Sequence, residues 1–418
     1  MKRLILTVMI ALPLIAGCSK SNAGEAEKPV SSARQDIVLT KSQTELIKVG
    51  NTFAFKLLGD VAASREGSFM ISPLSVQYAL SMLSNGASGA TQDELLRLLG
   101  FGKDRLSEAN ELCKYLVAEL LGADNTVEMS LANALIYNTF YSGGFGLKQS
   151  YVNGLVNWYD AYVKGYDFNA ENAKAISGIN SWASEQTRGM IPEIMNRLDP
   201  SVYLLLMNAI YFKGNWNSSL EFKSAATRQE DFTLESGRKV RQPIMRTECR
   251  LDYAGTDVCD IVRLPYGNGA FAMNVLLPAE GKTISDVIEW LKSGKSYWLS
   301  SFQVKLKLPK FETENTIELR RILAPYIPSS FSDMADFSAM TDAPVCVSDI
   351  FQKAKIKVNE QGTESSAVTV IVMGLTSAGP DVDIKPQVIE FYATRPFVYV
   401  ISEISTGAVL FSGVYKGE

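Results

Sequence analysis

This 418-residue sequence contains side chains that could act as nucleophiles, but it lacks histidine, the residue that usually activates them. Serine, lysine and five cysteines are present, but the sequence contains no histidine. This excludes the Ser-His and Cys-His arrangements of hydrolases and the zinc sites that use histidine. A Ser-Lys, paired-carboxylate or non-histidine metal mechanism stays open in principle, but no motif supports one. We therefore predict that the chain is not an enzyme and has no catalytic residues, metal site or cofactor.

A more informative segment lies near the C-terminus, between Glu360 and Pro380. After Gly362, alternate positions carry small or aliphatic uncharged residues: Thr363, Ser365, Ala367, Thr369 and Ile371. In a β-strand these side chains share one face, and none is charged or too bulky for the interior of a sheet. Gly362 allows backbone angles that other residues avoid. We predict a segment that can enter a sheet as a strand, and the alternative is an ordinary surface loop.

The N-terminus has the three-part build of a secretory signal. Two basic residues precede an apolar stretch from Leu4 to Ile15, which is short for a membrane span. The ending Ile-Ala-Gly-Cys at Cys18 resembles a bacterial lipobox. This predicts a lipoprotein signal peptide over residues 1–17 and a lipid on Cys18, and ordinary secretion with an unmodified cysteine is the alternative. Residues 18–38 are predicted to form a flexible tether, because they offer little apolar surface to bury.

Hydrophobic spacing then divides the chain into two parts. Up to about residue 200, apolar residues recur every three or four positions and predict helices. Capping boxes are predicted at Ser42 to Glu45 and at Thr91 to Glu94, with Gly100 ending the second helix. Strands are predicted later, at Tyr203–Phe212, Asp260–Leu264, Ala272–Leu277, Val304–Leu308, Phe397–Ile401 and Val409–Val414. This order favours an α+β fold.

Charge and cysteine content restrict the partners. The formal net charge is −4, so no basic surface for nucleic acid is predicted. Apart from Cys18, the cysteines lack the C-x-x-C spacing of structural zinc sites. Cys249 and Cys259 either pair across a hairpin or remain small buried thiols, and we favour the thiols.

Several short segments occur in the order found in one known family. They are Phe69–Leu83, Asn180–Ile191, Met207–Trp216, Leu264–Tyr266, Leu308–Phe311, Ala335–Ser338 and Arg395–Phe397. Together with Glu360–Pro380 they resemble the serpins, the serine protease inhibitor family, from about Gln43 to Tyr415. The resemblance implies a serpin fold over residues 39–418. That fold is α+β, with a helix-rich N-terminal half, three β-sheets and an exposed reactive-centre loop at about 360–390.

The resemblance also assigns roles to individual residues. The implied hinge residues are Glu360, Gly362, Thr363, Glu364, Ser365, Ser366 and Ala367. The implied residues of the shutter and breach, where the central sheet opens, are Ser72, Ser75, Asn208, Trp216 and Gln352. Gln352 stands where the family often has histidine. Its amide can keep a hydrogen-bond network with Ser72 and Asn208, without the pH sensitivity of histidine.

Family spacing counted from Glu360 implies a scissile bond at Thr376-Ser377, with Met373 and Leu375 as alternates. The implied function is covalent suicide-substrate inhibition of serine proteases, and also of papain-like cysteine proteases. Thr376 is small and β-branched, which suits elastase-like or broad-specificity targets. The alternatives are a non-inhibitory serpin acting as carrier or decoy, or a surface binding lipoprotein.

The expected location follows from the signal peptide and the lipobox. The protein is expected in the bacterial cell envelope, as a monomer anchored by lipid to the outer membrane. It would face the periplasm or the outside, or be released into the extracellular medium.

Overall fold

The computed structural model describes residues 33–143, 146–363 and 388–417. The α-helices in these ranges are α1 (Lys41–Ser64), α2 (Pro73–Gly86), α3 (Gly89–Leu99), α4 (Leu106–Gly122), α5 (Gln149–Tyr159), α6 (Asn172–Gln186), α7 (Ile284–Lys292) and α8 (Leu319–Leu323). The strands are β1 (Phe69–Ile71), β2 (Glu128–Asn138), β3 (Tyr162–Tyr166), β4 (Leu204–Asn215), β5 (Arg228–Thr233), β6 (Lys239–Gly255), β7 (Cys259–Pro265), β8 (Phe271–Pro278), β9 (Ser300–Pro309), β10 (Phe311–Glu318), β11 (Phe351–Asn359), β12 (Gly362–Thr363), β13 (Val388–Tyr392), β14 (Phe397–Glu403) and β15 (Val409–Tyr415). The α+β class is confirmed.

Two helices begin at other residues than the sequence predicted. The capping box of α1 is formed by Thr40 and Gln43, two residues before the predicted pair at Ser42. Helix α3 begins at Gly89, and the predicted box at its start is wrong because both side chains bind other segments. Thr91 accepts a hydrogen bond from the Asp336 N–H, and Glu94 accepts two from Ser329. The predicted end at Gly100 is confirmed by its left-handed backbone, with φ of 88°.

A six-stranded sheet forms the centre of the fold, with strands in the order β10-β11-β12-β4-β2-β3. Helix α6 covers one face of it, where Ile179 and Trp182 pack against Met207 and Ala209 of β4. The other face packs on the main hydrophobic core, which includes Phe212. Both faces of β4 are therefore covered, which explains its nearly continuous apolar sequence.

The remaining strands form a nine-stranded sheet in the order β1-β15-β14-β8-β7-β6-β9-β13, with β5 added on β6. The 17-residue β6 pairs in turn with β5, β9 and β7. Because β6 is shared in this way, a continuous hydrogen-bonded path joins these strands. The predicted buried hairpin is β14 and β15, and every residue of both strands is buried.

Other sequence expectations concern cysteines, the tether and membrane spans. Cys249 and Cys259 are free thiols, as are Cys113 and Cys346. Contacts with the domain begin inside the predicted tether, because Ile37 is buried and its N–H donates to Ser405 Oγ at 2.9 Å.

Within the described ranges, no helix is long and apolar enough to cross a membrane. The same ranges contain no cluster of three or more metal-ligating side chains.

Candidate functional site

The candidate site is a gap between strands β4 and β11 of the six-stranded sheet. At one end the two-residue β12 fills this gap, with Gly362 opposite Asn215 of β4 and Thr363 opposite Val358 of β11. Beyond β12, β4 and β11 share no ladder within the part of the chain that the structure describes. A cavity of about 230 Å³ lies there instead, lined among others by Leu206, Asn208, Ile210, Gln352, Ala354 and Ile356. Among the described residues, the sheet is therefore open along most of these two strands.

Thr363 anchors the filled end of the gap. Its side chain faces the core, is 3% exposed, and shares a 2.7 Å hydrogen bond with the Tyr266 hydroxyl. Tyr266 is completely buried, and burial raises the pKa of its hydroxyl, so this group stays protonated. The position of residue 363 therefore accepts only a small side chain that can hydrogen-bond.

Trp216 holds the turn between β11 and β12. Its ring stacks on that of Tyr266, with centroids 4.8 Å apart and planes 11° from parallel. Its indole N–H donates to Asn359 O at 3.0 Å, and its backbone N–H donates to Gln361 O at 2.9 Å. The ring and both donors thus fix the point at which the chain turns into the gap.

Glu360 lies in the same turn and carries a nearly buried charge. Its side chain is 10% exposed, and its carboxylate pairs with Lys310 Nζ at 2.8 Å and accepts from Thr227 Oγ1 at 2.8 Å. Burial by itself raises the pKa of this carboxyl, but the hydrogen bonds from Lys310 and Thr227 outweigh it and lower the pKa overall. Glu360 is therefore a carboxylate at neutral pH. Its ion pair connects the hinge to Lys310, which lies between β9 and β10.

Gly362 has no room for a side chain. Its φ of +149° is one that residues with a β-carbon rarely adopt. A β-carbon at this position would lie 2.1 Å from the Gly214 carbonyl oxygen of β4. The close approach of two backbones explains why glycine stands here.

Gln352 binds the start of α2 from β11. Its Nε2 donates to Ser72 O at 2.9 Å, and its Oε1 accepts from the Ser72 N–H at 2.9 Å. Ser72 Oγ donates to Leu410 O at 2.8 Å and accepts from the Ser75 N–H at 3.2 Å. The predicted contact between Gln352 and Ser72 is therefore present.

Asn208 lies across the gap from Gln352 and does not join this network. Its Nδ2 donates to Asn133 Oδ1 at 2.6 Å. Its Oδ1 is buried and has no hydrogen-bond partner among the described residues. The single network predicted from the sequence is therefore divided in two, because the open gap separates β4 from β11.

Three residues of the site were not predicted as such: Tyr266, Lys310 and Thr227. Tyr266 and Lys310 belong to the Leu-Pro-Tyr and Leu-Pro-Lys-Phe segments that carried the resemblance, and this membership was the sequence signal that could have identified them. Thr227 lies in none of these segments. The other predicted residues lie outside the described ranges: Cys18, Glu364, Ser365, Ser366, Ala367, Met373, Leu375, Thr376 and Ser377.

Comparisons with known proteins agree with this architecture. Residues 48–416 match the family model for serpin (serine protease inhibitor). Serpin-Z1C of Triticum aestivum is 33% identical over 386 residues, covering 86% of this chain and 93% of the relative. An uncharacterized serpin-like protein of Thermococcus kodakarensis is 28% identical, covering 99% of this chain and 98% of the relative.

A solved structure shows the same fold. AtSerpin1 of Arabidopsis, in its native stressed conformation, superposes with a TM-score of 0.75 and 28% identity, covering 90% of this chain and 98% of that one. The family-model match spans most of the chain. The chain therefore belongs to the serpin family, whose members are generally inhibitors of proteases rather than enzymes.

Proposed function

We propose that this serpin is a covalent suicide-substrate inhibitor that acts as a monomer on elastase-like or broad-specificity serine proteases, and also on papain-like cysteine proteases. The observation that carries the proposal is the position of β12. Two residues of the hinge already lie in the gap between β4 and β11, and the gap continues beyond them. Among the described residues, no strand pairs with β4 and β11 beyond β12, and this is the position that the rest of the hinge would take.

The chemistry begins on the loop. The serine Oγ of the protease attacks the carbonyl carbon of Thr376, the Thr376-Ser377 peptide bond breaks, and Ser377 leaves as a free amine. The protease is then joined to Thr376 by an ester. The freed loop can now enter the sheet, which is the established motion of this family. Insertion carries the protease away before water hydrolyses the ester.

We infer the register of the entering strand from the pairing of β12. Gly362 lies opposite Asn215, so each further residue of the hinge would pair with a residue one position lower on β4. Ala367 would therefore lie opposite Ile210, and Thr369 opposite Asn208. Continuing the β11 pairing brings Thr369 opposite Gln352 as well. The entering Thr369 hydroxyl would thus reach the Asn208 oxygen that now lacks a partner.

The opposite face of the entering strand also fits. Glu364 would lie opposite Lys213, which has the opposite charge. Val368 would lie opposite Ala209, and Val370 opposite Met207, both in the apolar cluster under α6. Small or aliphatic uncharged residues would therefore face the main core, while Val368 and Val370 would face the apolar cluster under α6.

Insertion involves both gains and a cost in free energy. Leu204, the first residue of β4, would pair with Met373, so about ten residues could join the ladder. Each new hydrogen bond contributes about 0.5 to 1.5 kcal/mol, and each buried aliphatic side chain about 1.5 to 3 kcal/mol. The sum is on the order of ten kcal/mol or more, against which stands the cost of ordering the backbone, about 1 to 2 kcal/mol per residue.

A protease panel tests the proposal. We expect SDS-resistant complexes with elastase or subtilisin and none with trypsin, whose pocket requires Lys or Arg. Mass spectrometry should find a released C-terminal fragment that begins at Ser377. A fragment beginning after Met373 or Leu375 would move the scissile bond and leave the mechanism intact. Cleavage by every protease without any covalent complex would contradict the proposal and favour a carrier or decoy.

We further propose that residues 1–17 are a signal peptide and that Cys18 carries lipid, which places the protein in the bacterial cell envelope. The support is the sequence alone, with its basic start, apolar stretch and lipobox-like ending. Metabolic labelling with a fatty acid should mark the wild-type protein and leave Cys18→Ser unlabelled. Equal labelling of both proteins would contradict the proposal.

A further inference from the structure

A second cavity lies among the helices, apart from the gap in the central sheet. It has a volume of about 60 Å³ and is enclosed mainly by α1, α2 and α4. We call it the helical cavity. Helix α2 separates it from the gap. Ala79 and Leu83 on one face of α2 line the gap cavity, whereas Leu74 and Tyr78 on the opposite face line the helical cavity.

The wall of the helical cavity is largely apolar. Most of the side chains that form it are buried, and each of the three helices contributes to it. Its residues include Leu46 and Ile47 of α1, Leu74 and Tyr78 of α2, and Ala109 and Leu112 of α4. Atoms that border a void lack van der Waals partners on that side, so an apolar guest would supply contacts that the wall does not make with itself.

The polar groups in the wall already have hydrogen-bond partners. The Tyr78 hydroxyl donates to Cys113 O at 2.8 Å, and the Ser81 hydroxyl is hydrogen-bonded to that of Tyr159. Asn51 uses both ends of its amide on the backbone at the start of β15. A buried water needs about two to four polar partners, and this wall offers it few. The helical cavity therefore favours an apolar guest over water.

We propose that the helical cavity is a binding site for a small apolar molecule, of the size of a xenon atom, a short alkane or a halomethane. This inference goes beyond the proposed function and does not depend on it. The volume sets the size of the guest, because an apolar cavity of about 150 Å³ holds benzene and this one has about 60 Å³. A guest that binds the folded chain alone also stabilises the fold.

Gln77 marks the route by which a guest enters. Gln77 and Gly50 both line the cavity and are half-buried, at the point where α2 faces α1. Gly50 has no side chain of its own, and the Gln77 amide covers it, with Nε2 donating to Gly50 O at 2.5 Å. Rotation of this one flexible side chain would open the wall, so entry does not require α1 and α2 to separate.

Xenon is the probe for the first test. Crystals of the full-length protein are pressurised with xenon, and we expect a xenon peak between Leu46, Tyr78 and Leu112. Ala109→Leu should remove this peak, because the larger side chain fills the cavity. Ala118→Leu is the matched control, because Ala118 is exposed on the same helix, and its peak should match that of the wild type. In solution, xenon at about ten times its dissociation constant should raise the thermal midpoint by about 1 to 2 °C, and by less in Ala109→Leu.

A second variant tests the size of the site without relying on the folding of Ala109→Leu. Leu112→Ala removes part of the wall and enlarges the cavity. Benzene should then raise the thermal midpoint of this variant by more than that of the wild type. An equal rise in both proteins would mean that benzene binds elsewhere, and would overturn the size limit.

The crystal experiment decides whether the site exists. The absence of a xenon peak from the helical cavity of the wild type overturns the proposal, as does a peak that persists in Ala109→Leu. A peak confined to the gap cavity has the same meaning. Each of these results leaves the proposed inhibitory function standing, since that function depends on the gap and not on the helical cavity.

Discussion

Thr363→Arg is expected to convert the protein from an inhibitor into a substrate of the same protease. Thr363 is 3% exposed, and its hydroxyl is hydrogen-bonded to the hydroxyl of Tyr266. A guanidinium in this position would be removed from water without an anionic partner, which costs several kcal/mol. The arginine would displace β12 from the gap, so the hinge would enter the sheet more slowly, and the protease would have time to hydrolyse the ester and leave.

The measurement is the number of inhibitor molecules consumed for each protease molecule inactivated. We expect this ratio to rise at least tenfold in Thr363→Arg, with intact protein converted to the cleaved form. Thr363→Ser is the matched control, because it keeps the hydroxyl for Tyr266 and should stay near the wild-type ratio. An unchanged ratio in the arginine variant would show that residue 363 does not need to be buried for inhibition.

Gly362 and Thr363 could be singled out from the sequence because their properties are local. Gly362 and Thr363 were selected for backbone freedom and small size, and the structure gives a reason for both in the close backbone of Gly214 and the buried hydroxyl of Tyr266. The predicted strands β4, β7, β8, β14 and β15 were found for a similar reason. Their apolar runs are long enough to identify them without knowledge of their neighbours.

Contacts between distant parts of the chain were not predictable. Glu360 meets Thr227 across 133 positions of sequence, and neither residue reveals the other. Strand β2 was missed because α6 covers one of its faces and the main core the other, so its sequence lacks the alternation of a half-exposed strand. The separation of Asn208 from Gln352 depends on whether the sheet is open, which is a property of the whole fold.

Glu360→Lys is expected to displace the hinge from its end of the gap. The variant would bring a second ammonium group to within a few ångströms of Lys310, in a place where the native side chain is 10% exposed. The lost pair and the new repulsion together cost about 2 to 4 kcal/mol. Departure of β12 would leave the edges of β4 and β11 unpaired, and such edges associate with other chains. We expect a lower thermal midpoint and faster self-association in size-exclusion chromatography.

Glu360→Gln separates the effect of charge from that of hydrogen bonding, because an amide oxygen can still accept from Lys310 and Thr227. The carboxyl of Glu360 has a lowered pKa in the folded protein, against an ordinary value of 4.5. Its stabilising contribution is therefore fully present above pH 4.5 and is lost as the pH falls through the lower, folded value. The wild-type protein should exceed Glu360→Gln in thermal midpoint at neutral pH, and this advantage should disappear in acid. A difference that stays constant down to pH 3 would mean that the charge of Glu360 does not stabilise the hinge.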